Sequence, residues 1–528
     1  MKAHIVGGGF GGLAAAAYLI RNAGVSGPNI TIYEADDRMG GGFFLGGSAE
    51  SGYNLPGSVF DSEFRCTFDL LQTIPSASNP AISVKDEFFT FNTRHPLDDR
   101  ARLIDRNGKI VHGPRFGLSW HDGFDLARLA LTPEAWLDGR RIEEFFSARF
   151  FSTEFWLCYS TVMGSLPQHS AKELRRYLNR TLHMFPYISD MANIWRTPAN
   201  QYQAFIEPLV AWLRARHVNL QTGVFVKDVG FAASPGITVN RLDIERDGAA
   251  TAVTVAPDDV VLLTFGSQAA DMSVGSMTAP PQPQRAGRSW ALWKRLAQAR
   301  PDFGNPDAFF GAAHVPDSHW VTFTVTTTGT EFFELMSALT GSETGRGGLV
   351  SLIDSGWLLS LSIFHQPEII GQPLGTYVWW GYGLFPERNG NFVPKRMDAC
   401  TGAEILEEVL RELRFDRQLD AIMASSICIP CDMPYVNNIW LTRTPTDRPR
   451  PVPEGSTNLG LIGQYVEVPR DVAFTIEYSA RTAWEAIHLL RKRGPPPPPV
   501  YQAQYDAKAL FAALKLFVFP AATRPRVT

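Results

Sequence analysis

Residues 2–23 read KAHIVGGGFGGLAAAAYLIRNA: a short apolar run, a glycine cluster and an alanine- and leucine-rich stretch in direct succession. KAHIVG at 2–7 predicts a buried strand and GGLAAAAYLIRNA at 11–23 a helix, since alanine and leucine lose little freedom in a helix. ITIYEA at 30–35 supplies a second strand, and this β-α-β order is parallel with a right-handed crossover in nearly all cases. Gly7, Gly9 and Gly12 form G-x-G-x-x-G between strand and helix, and Glu34 closes the second strand. Gly7 turns the chain, Gly9 lets the backbone approach a pyrophosphate, Gly12 lets helix and strand pack closely, and Glu34 accepts ribose hydroxyls. The glycines alone would fit any tight turn; with strand, helix and acid in place they predict a dinucleotide site.

An acid at the end of the second strand disfavours NADP, whose extra phosphate wants arginine there. The Gly40–Gly41 doublet preceded by Arg38 points to FAD rather than NAD, because it brings a second stretch of bare backbone over the phosphates. Arg38 has a plainer reading as a solvated surface charge.

A chain of 528 residues exceeds one compact core, so two to four interlocked domains are expected. With 45% hydrophobic and 19% charged residues and a formal net charge of −4, both disorder and a nucleic-acid footprint are disfavoured. No apolar run reaches the length of a membrane-spanning helix, and Met1 leads almost at once into the first strand, so a cytoplasmic protein is expected. Cys428 and Cys431 form a lone CxxC, which together with Cys66, Cys158 and Cys400 reads as reduced structural cysteine rather than a zinc or redox site.

The fold class is α/β: a Rossmann-like FAD-binding domain assembled from discontinuous segments, with α+β insertions and a helical C-terminal region. Its segments are 1–75, 217–287 and 452–493, the later ones supplying returning strands. TGVFVKDVGF (222–231) and ITVNRLDI (237–244) alternate, while DDVVLLTFGS (258–267) and TNLGLIGQYVEV (457–468) are more continuously apolar. A helical, aromatic insertion (76–216) and a mixed one (288–451) form the substrate side. GPPPPP at 494–499 reads as an extended polyproline spacer before a tail at 494–528. In that tail Leu510, Phe511, Leu514, Phe517 and Val518 share one helical side, with Lys508 and Lys515 elsewhere. Two readings stand: a helix docked on the protein itself, or one lying on a membrane surface.

Several stretches together resemble the oleate hydratases, formerly the myosin-cross-reactive antigen family. They are GGGFGGLAAAAYLIRNA, GPNITIYEADDRMGG, CTFDLLQTIPS, GLSW, NQYQAFIEPL, GRSWALWKRLA, FGNPDAFF, WWGYGLFPERNGNFVPKRMDACTGAEILEEVL and IGQYVEVPRDVAFTIEYSARTAWEAI. The resemblance runs from about residue 2 to 490. It implies addition of water to the cis-9 double bond of oleate or a related free fatty acid, giving the 10-hydroxy acid. FAD is required although no net electron transfer occurs, and the reduced flavin is the more active form. For the flavin the resemblance implies Val226 at the adenine, Ser267 at the end of its strand, and the run from Gly463 through Phe474 and Thr475 beside the ring. Family members commonly begin with an extra N-terminal arm that this chain lacks; if that arm builds the family's dimer, a monomer is expected here, with a homodimer as the alternative.

Hydrating an isolated alkene takes an acid at one carbon and a base or oriented dipole holding water at the other. The resemblance implies Tyr177, in AKELRRYLNR (171–180), as the acid; an ordinary phenol is protonated at pH 7, and Arg175, Arg176 or Arg180 is expected to stabilise the phenolate. Without the family, a tyrosine packed in the core is the simpler reading. The family's water-activating glutamate has no counterpart: the matching stretch is LPGSVF, 55–60. Asp61 and Glu63 are the nearest replacements, each also explicable as a helix N-terminal charge, and Ser58 or backbone carbonyls are the other means of holding water. For the substrate carboxylate the resemblance implies Gln201 and a row in which Ser362, Phe364 and Glu368 replace threonine, asparagine and histidine. A charged Glu368 would repel a carboxylate, so the anchor is expected at His365 or an arginine.

Competing readings are a flavin oxidoreductase of amine-oxidase or desaturase type, which the same scaffold would also host, and a lipid-binding protein that has lost its catalytic glutamate.

Overall fold

The structure, a computed structural model, describes all residues except 58, 112–113, 234–235 and 519–528; side chains of 114–115 and 514–518 also lie outside the described set. Strand β1 (Ala3–Val6), helix α1 (Phe10–Arg21) and strand β2 (Ile30–Tyr33) form the opening unit, with Ala3 opposite Ile30 in parallel register. Three strands from distant parts of the chain complete the sheet. They are β3 (Asn219–Gln221) beside β2, β4 (Val260–Thr264) on the far side of β1, and β5 (Leu459–Ile462) outermost. Every pairing is parallel. Residues 260–263 and 459–462 are buried throughout, as expected of parallel strands covered on both faces. Helix α1 packs against the C-terminal helix α2 (Ile476–Arg491).

Two expected returns go elsewhere. Val224–Phe231 and Val239–Arg246 pair antiparallel with each other, and Ala249–Thr254 adds a third strand to a sheet of their own. Their alternation reflects one wet face, which a strand inside the parallel sheet would not have.

A seven-stranded sheet forms the second body. Its longest strand, Trp320–Thr328, lies antiparallel to Thr376–Gly383 and Ser426–Met433. Leu103–Ile104 and Ser273–Val274 close its two edges, so the sheet draws on chain outside 288–451. Cys428 and Cys431 are buried in the Ser426–Met433 strand, where residues three apart face opposite sides. Burial pushes both thiols up, Cys431 to about 12. The 76–216 region contributes helices, among them Trp120–Leu131, Glu154–Met163 and Ala171–Arg180.

The polyproline segment does not hold the tail away from the body. Pro498 and Pro495 accept hydrogen bonds from Arg481 and Trp484 on α2, and the Tyr501 ring lies against Arg65, Arg180 and His183. The Ala507–Val518 helix packs on residues 182–187, burying Ala509 and Ala513 and leaving Leu510 and Phe511 exposed. The side chains of Leu514, Lys515, Phe517 and Val518 lie outside the described residues. Among the described residues no helix is long and apolar enough to cross a membrane.

Candidate active site and nucleotide cradle

The two glycine clusters meet backbone to backbone. Gly9 and Gly40 form an isolated parallel bridge, with the Gly40 N–H donating to Gly8 O at 2.9 Å. A Cβ on Gly41 would stand 3.0 Å from Gly9 Cα, and one on Gly12 only 1.9 Å from the Gly7 carbonyl oxygen. Gly7 and Gly40 have φ of +99° and +128°, which side-chain-bearing residues rarely adopt. Gly9 stands at the N-cap of α1 without a side-chain cap, so amides of the first turn are available to a phosphate.

Glu34 is buried and accepts the N–H groups of Gly8 (2.6 Å) and Asp36 (2.9 Å); burial raises its carboxyl despite them. Thr264 Oγ1, beside Gly7, is buried with no hydrogen-bond partner among the described residues. Bare turn, open helix end, acid and orphaned hydroxyl fit a dinucleotide. Arg38 reaches the Leu45 carbonyl at 3.4 Å and covers the Phe44 ring. Val226 is buried in the separate three-stranded sheet opposite Ile244. Ser267 Oγ accepts the Ala269 N–H, the Gly463 N–H donates to Thr482, and Thr475 caps α2 through the Tyr478 N–H.

Tyr177 is 1% exposed and stacks on Trp440 with ring centroids 4.4 Å apart. Its hydroxyl oxygen accepts the backbone N–H of Phe474 at 2.9 Å, tying the 171–180 helix to the 463–475 run. Burial, then Tyr159 and Glu173, raise the phenol well above its ordinary value, against the Phe474 hydrogen bond and Arg448. The arginines of its own helix are engaged with carboxylates instead. Arg175 and Arg176 pair with Glu134 at 3.3 and 2.9 Å, and Arg176 also pairs with Glu467 at 2.6 Å. The cation acting on the phenol is Arg448, from a different part of the chain, which is itself paired with Glu173 at 3.4 Å and is outweighed by burial and that carboxylate.

Asp61 is buried between Arg180 (3.2 Å) and His183 (3.1 Å) and accepts the Glu63 N–H. Burial works to raise its carboxyl, but His183 and Arg180 outweigh burial and hold it below the usual range. Glu63 pairs with Arg65 at 3.0 Å near the surface. Both carboxylates therefore already serve cations. Ser58 lies outside the described residues.

The three expected carboxylate-anchor residues fall around one arginine that sequence reasoning did not single out. Arg196 donates to the His95 carbonyl (3.1 Å), His95 lies 4.5 Å from the His365 ring, and Phe91 contacts both His365 and Arg196. The Asn200 N–H donates to the Glu368 carbonyl at 2.8 Å, setting Gln201 beside that loop. Ser362 Oγ donates to Gly348 O, and the Gly348 N–H in turn donates to Asp99, whose charge acts on Arg196. Burial, with Arg196 and His95, lowers His365 to about 4. Leu97, Ile194, Trp320, Phe364, Trp380 and Tyr382 belong to one buried apolar cluster, and Phe474 packs against it.

A parallel five-stranded sheet carrying a glycine turn and an acid at its second strand defines a Rossmann-like dinucleotide-binding protein. Cyclohexylamine oxidase from Brevibacterium oxydans IH-35A has a related fold, with a TM-score of 0.51 at 12% identity, covering 93% of this chain and 98% of that one. Within that class the MCRA family model matches residues 1–488, and the chain belongs to the MCRA family. It is 33% identical over 525 residues to an oleate hydratase of Streptococcus pyogenes serotype M49 (strain NZ131), covering 97% of this chain and 89% of that protein. It is 30% identical over 529 residues to a linoleate hydratase of Lactiplantibacillus plantarum, covering 91% and 92% respectively.

Proposed function

We propose that this enzyme is a hydro-lyase that adds water across the cis-9 double bond of oleate or a similar free unsaturated fatty acid, giving the 10-hydroxy acid. The observation that carries this reading is the buried Tyr177 hydroxyl, which accepts a backbone N–H from Phe474 at 2.9 Å. That bond uses a lone pair of the oxygen and leaves its hydrogen to be given elsewhere. As the proton passes to one olefinic carbon, negative charge grows on Oη, where the preorganised Phe474 amide stabilises it. Water forms the carbon–oxygen bond at the other carbon, and its surplus proton restores the phenol over the cycle.

Asp61 and Glu63 are held by cations, so orienting the water falls to backbone carbonyls or to Ser58. A developing carbocation needs an oriented water more than a strong base, and lacking a general base costs about 10²–10⁴ in rate. Gly7, Gly9, Gly12, Glu34, Arg38, Gly40 and Gly41 would hold the FAD phosphates and ribose, Val226 the adenine, and Ser267, Gly463, Phe474 and Thr475 the ring side. Bound there, FAD would supply shape and charge to the site, with no net electron transfer.

The test is incubation with FAD, dithionite and oleate in heavy water. The expected product is 10-hydroxystearate carrying one carbon-bound deuterium, with the flavin spectrum unchanged at the end. In a parallel single turnover with oxidised FAD and no dithionite, flavin reduction by substrate without hydroxylated lipid would overturn the reading in favour of an oxidoreductase. Tyr177→Phe should lower hydration by at least about 10²-fold while FAD stays bound.

A further inference from the structure

We propose that Arg196 supplies the counter-charge for the fatty-acid carboxylate, with Gln201 and Glu368 as its hydrogen-bonding rim, in place of His365. This rests on the hydratase reading and deepens it, since it restricts the substrate to free acids.

Arg196 Nε is buried with no hydrogen-bond partner among the described residues, and the Gln201 amide is likewise unpaired at Oε1; a half-turn of that amide presents its NH2 instead. A buried donor left unpaired is costly, so a carboxylate that accepts from these N–H groups is favoured. The carboxyls near Arg196 do not neutralise it well. Burial raises Glu368 well above its ordinary value, and burial also raises Asp99, to about 7, while two backbone amides occupy its oxygens. Arg346 adds a second positive charge nearby, and burial lowers Arg196 itself to about 10.

A carboxylate arriving here meets a planar guanidinium, and burial disfavours the charged form of Glu368 that would repel it. The loss of the family's asparagine and histidine at Phe364 and Glu368 is thereby accounted for: charge has moved to Arg196 and the replaced positions line or cap the chain. His365, held neutral near pH 7 between His95 and Phe91, cannot supply that charge. Phe364, Ile194 and Leu97 belong to the buried apolar cluster that Phe474, the hydrogen-bond partner of Tyr177, also packs against, surroundings that suit an acyl chain with its acid end at Arg196.

The experiment measures displacement of a fluorescent fatty-acid probe from the FAD-loaded protein by oleate and by methyl oleate. The same preparations are assayed for hydration. Wild type should prefer oleate; Arg196→Met should bind oleate roughly 10- to 100-fold more weakly and methyl oleate as before. Arg196→Lys should recover part of the difference. The ester, measured on the same sample, controls for folding, and Arg196→Gln serves the same comparison if the methionine variant does not fold. Equal preference for acid and ester in wild type, or an unchanged preference in Arg196→Met, would overturn the anchor. Arg196-dependent binding without hydroxylated product would instead overturn the hydratase reading and leave the anchor standing.

Discussion

Asp61 shows how a carboxylate placed by sequence near a catalytic segment is given other work by its neighbours. Replacing it with asparagine leaves His183 without its carboxylate and Arg180 with only Asp471, at 3.8 Å, which should cost about 3 kcal/mol of stability, read from the denaturant midpoint. Its carboxyl is lower in the folded protein than unfolded, so its contribution is fully present above the unfolded value near 4 and is lost as pH falls through the folded one. Asp61→Asn should remove that part of the acid limb of stability. Hydration per folded molecule at saturating oleate should change less than about threefold; a fall of 10² or more would restore Asp61 as the base. Tyr177 illustrates the reverse case. Its family position was readable in AKELRRYLNR, whereas the amide that steadies its oxygen belongs to a backbone 297 positions away and leaves no mark on residue identity.

The opening strand, helix and strand were legible because each carries its own signal: an apolar run, an alanine-rich helix and glycines with fixed steric duties. Gly12 is the most demanding of these. Gly12→Ala drives a methyl group into the Gly7 carbonyl, and the expected outcome is loss of bound flavin, seen by absorbance after desalting, or of soluble protein. Strand β3, three residues reading NLQ, carried no pattern and was not expected. The hairpin strands at 224–246 were visible as strands, but alternation tells how wet a face is and not which sheet receives it. Arg196 escaped because burial and a missing partner are properties of the fold, and an arginine in sequence looks like any solvated charge.

At the scale of the molecule, the proline segment and Tyr501 bind the last residues to α2 and to the end of the helix that carries Tyr177. Ending the chain after residue 493 should lower the melting temperature by about 3 °C or more, since several buried contacts are lost together. Hydration should fall with it as Arg180 and His183 lose their cover. Full stability and rate in the shortened protein would show the segment to be dispensable.

The outermost strand of the nucleotide sheet, β5, is contributed by residues 459–462, and the main helix packed on α1 is 476–491. A ribosome must therefore deliver nearly the whole polypeptide before the cradle begun at residue 3 can close. Closure of the glycine turn within a complete sheet belongs to the end of synthesis, and a nascent chain stalled in the middle waits with its first apolar strand and helix half covered.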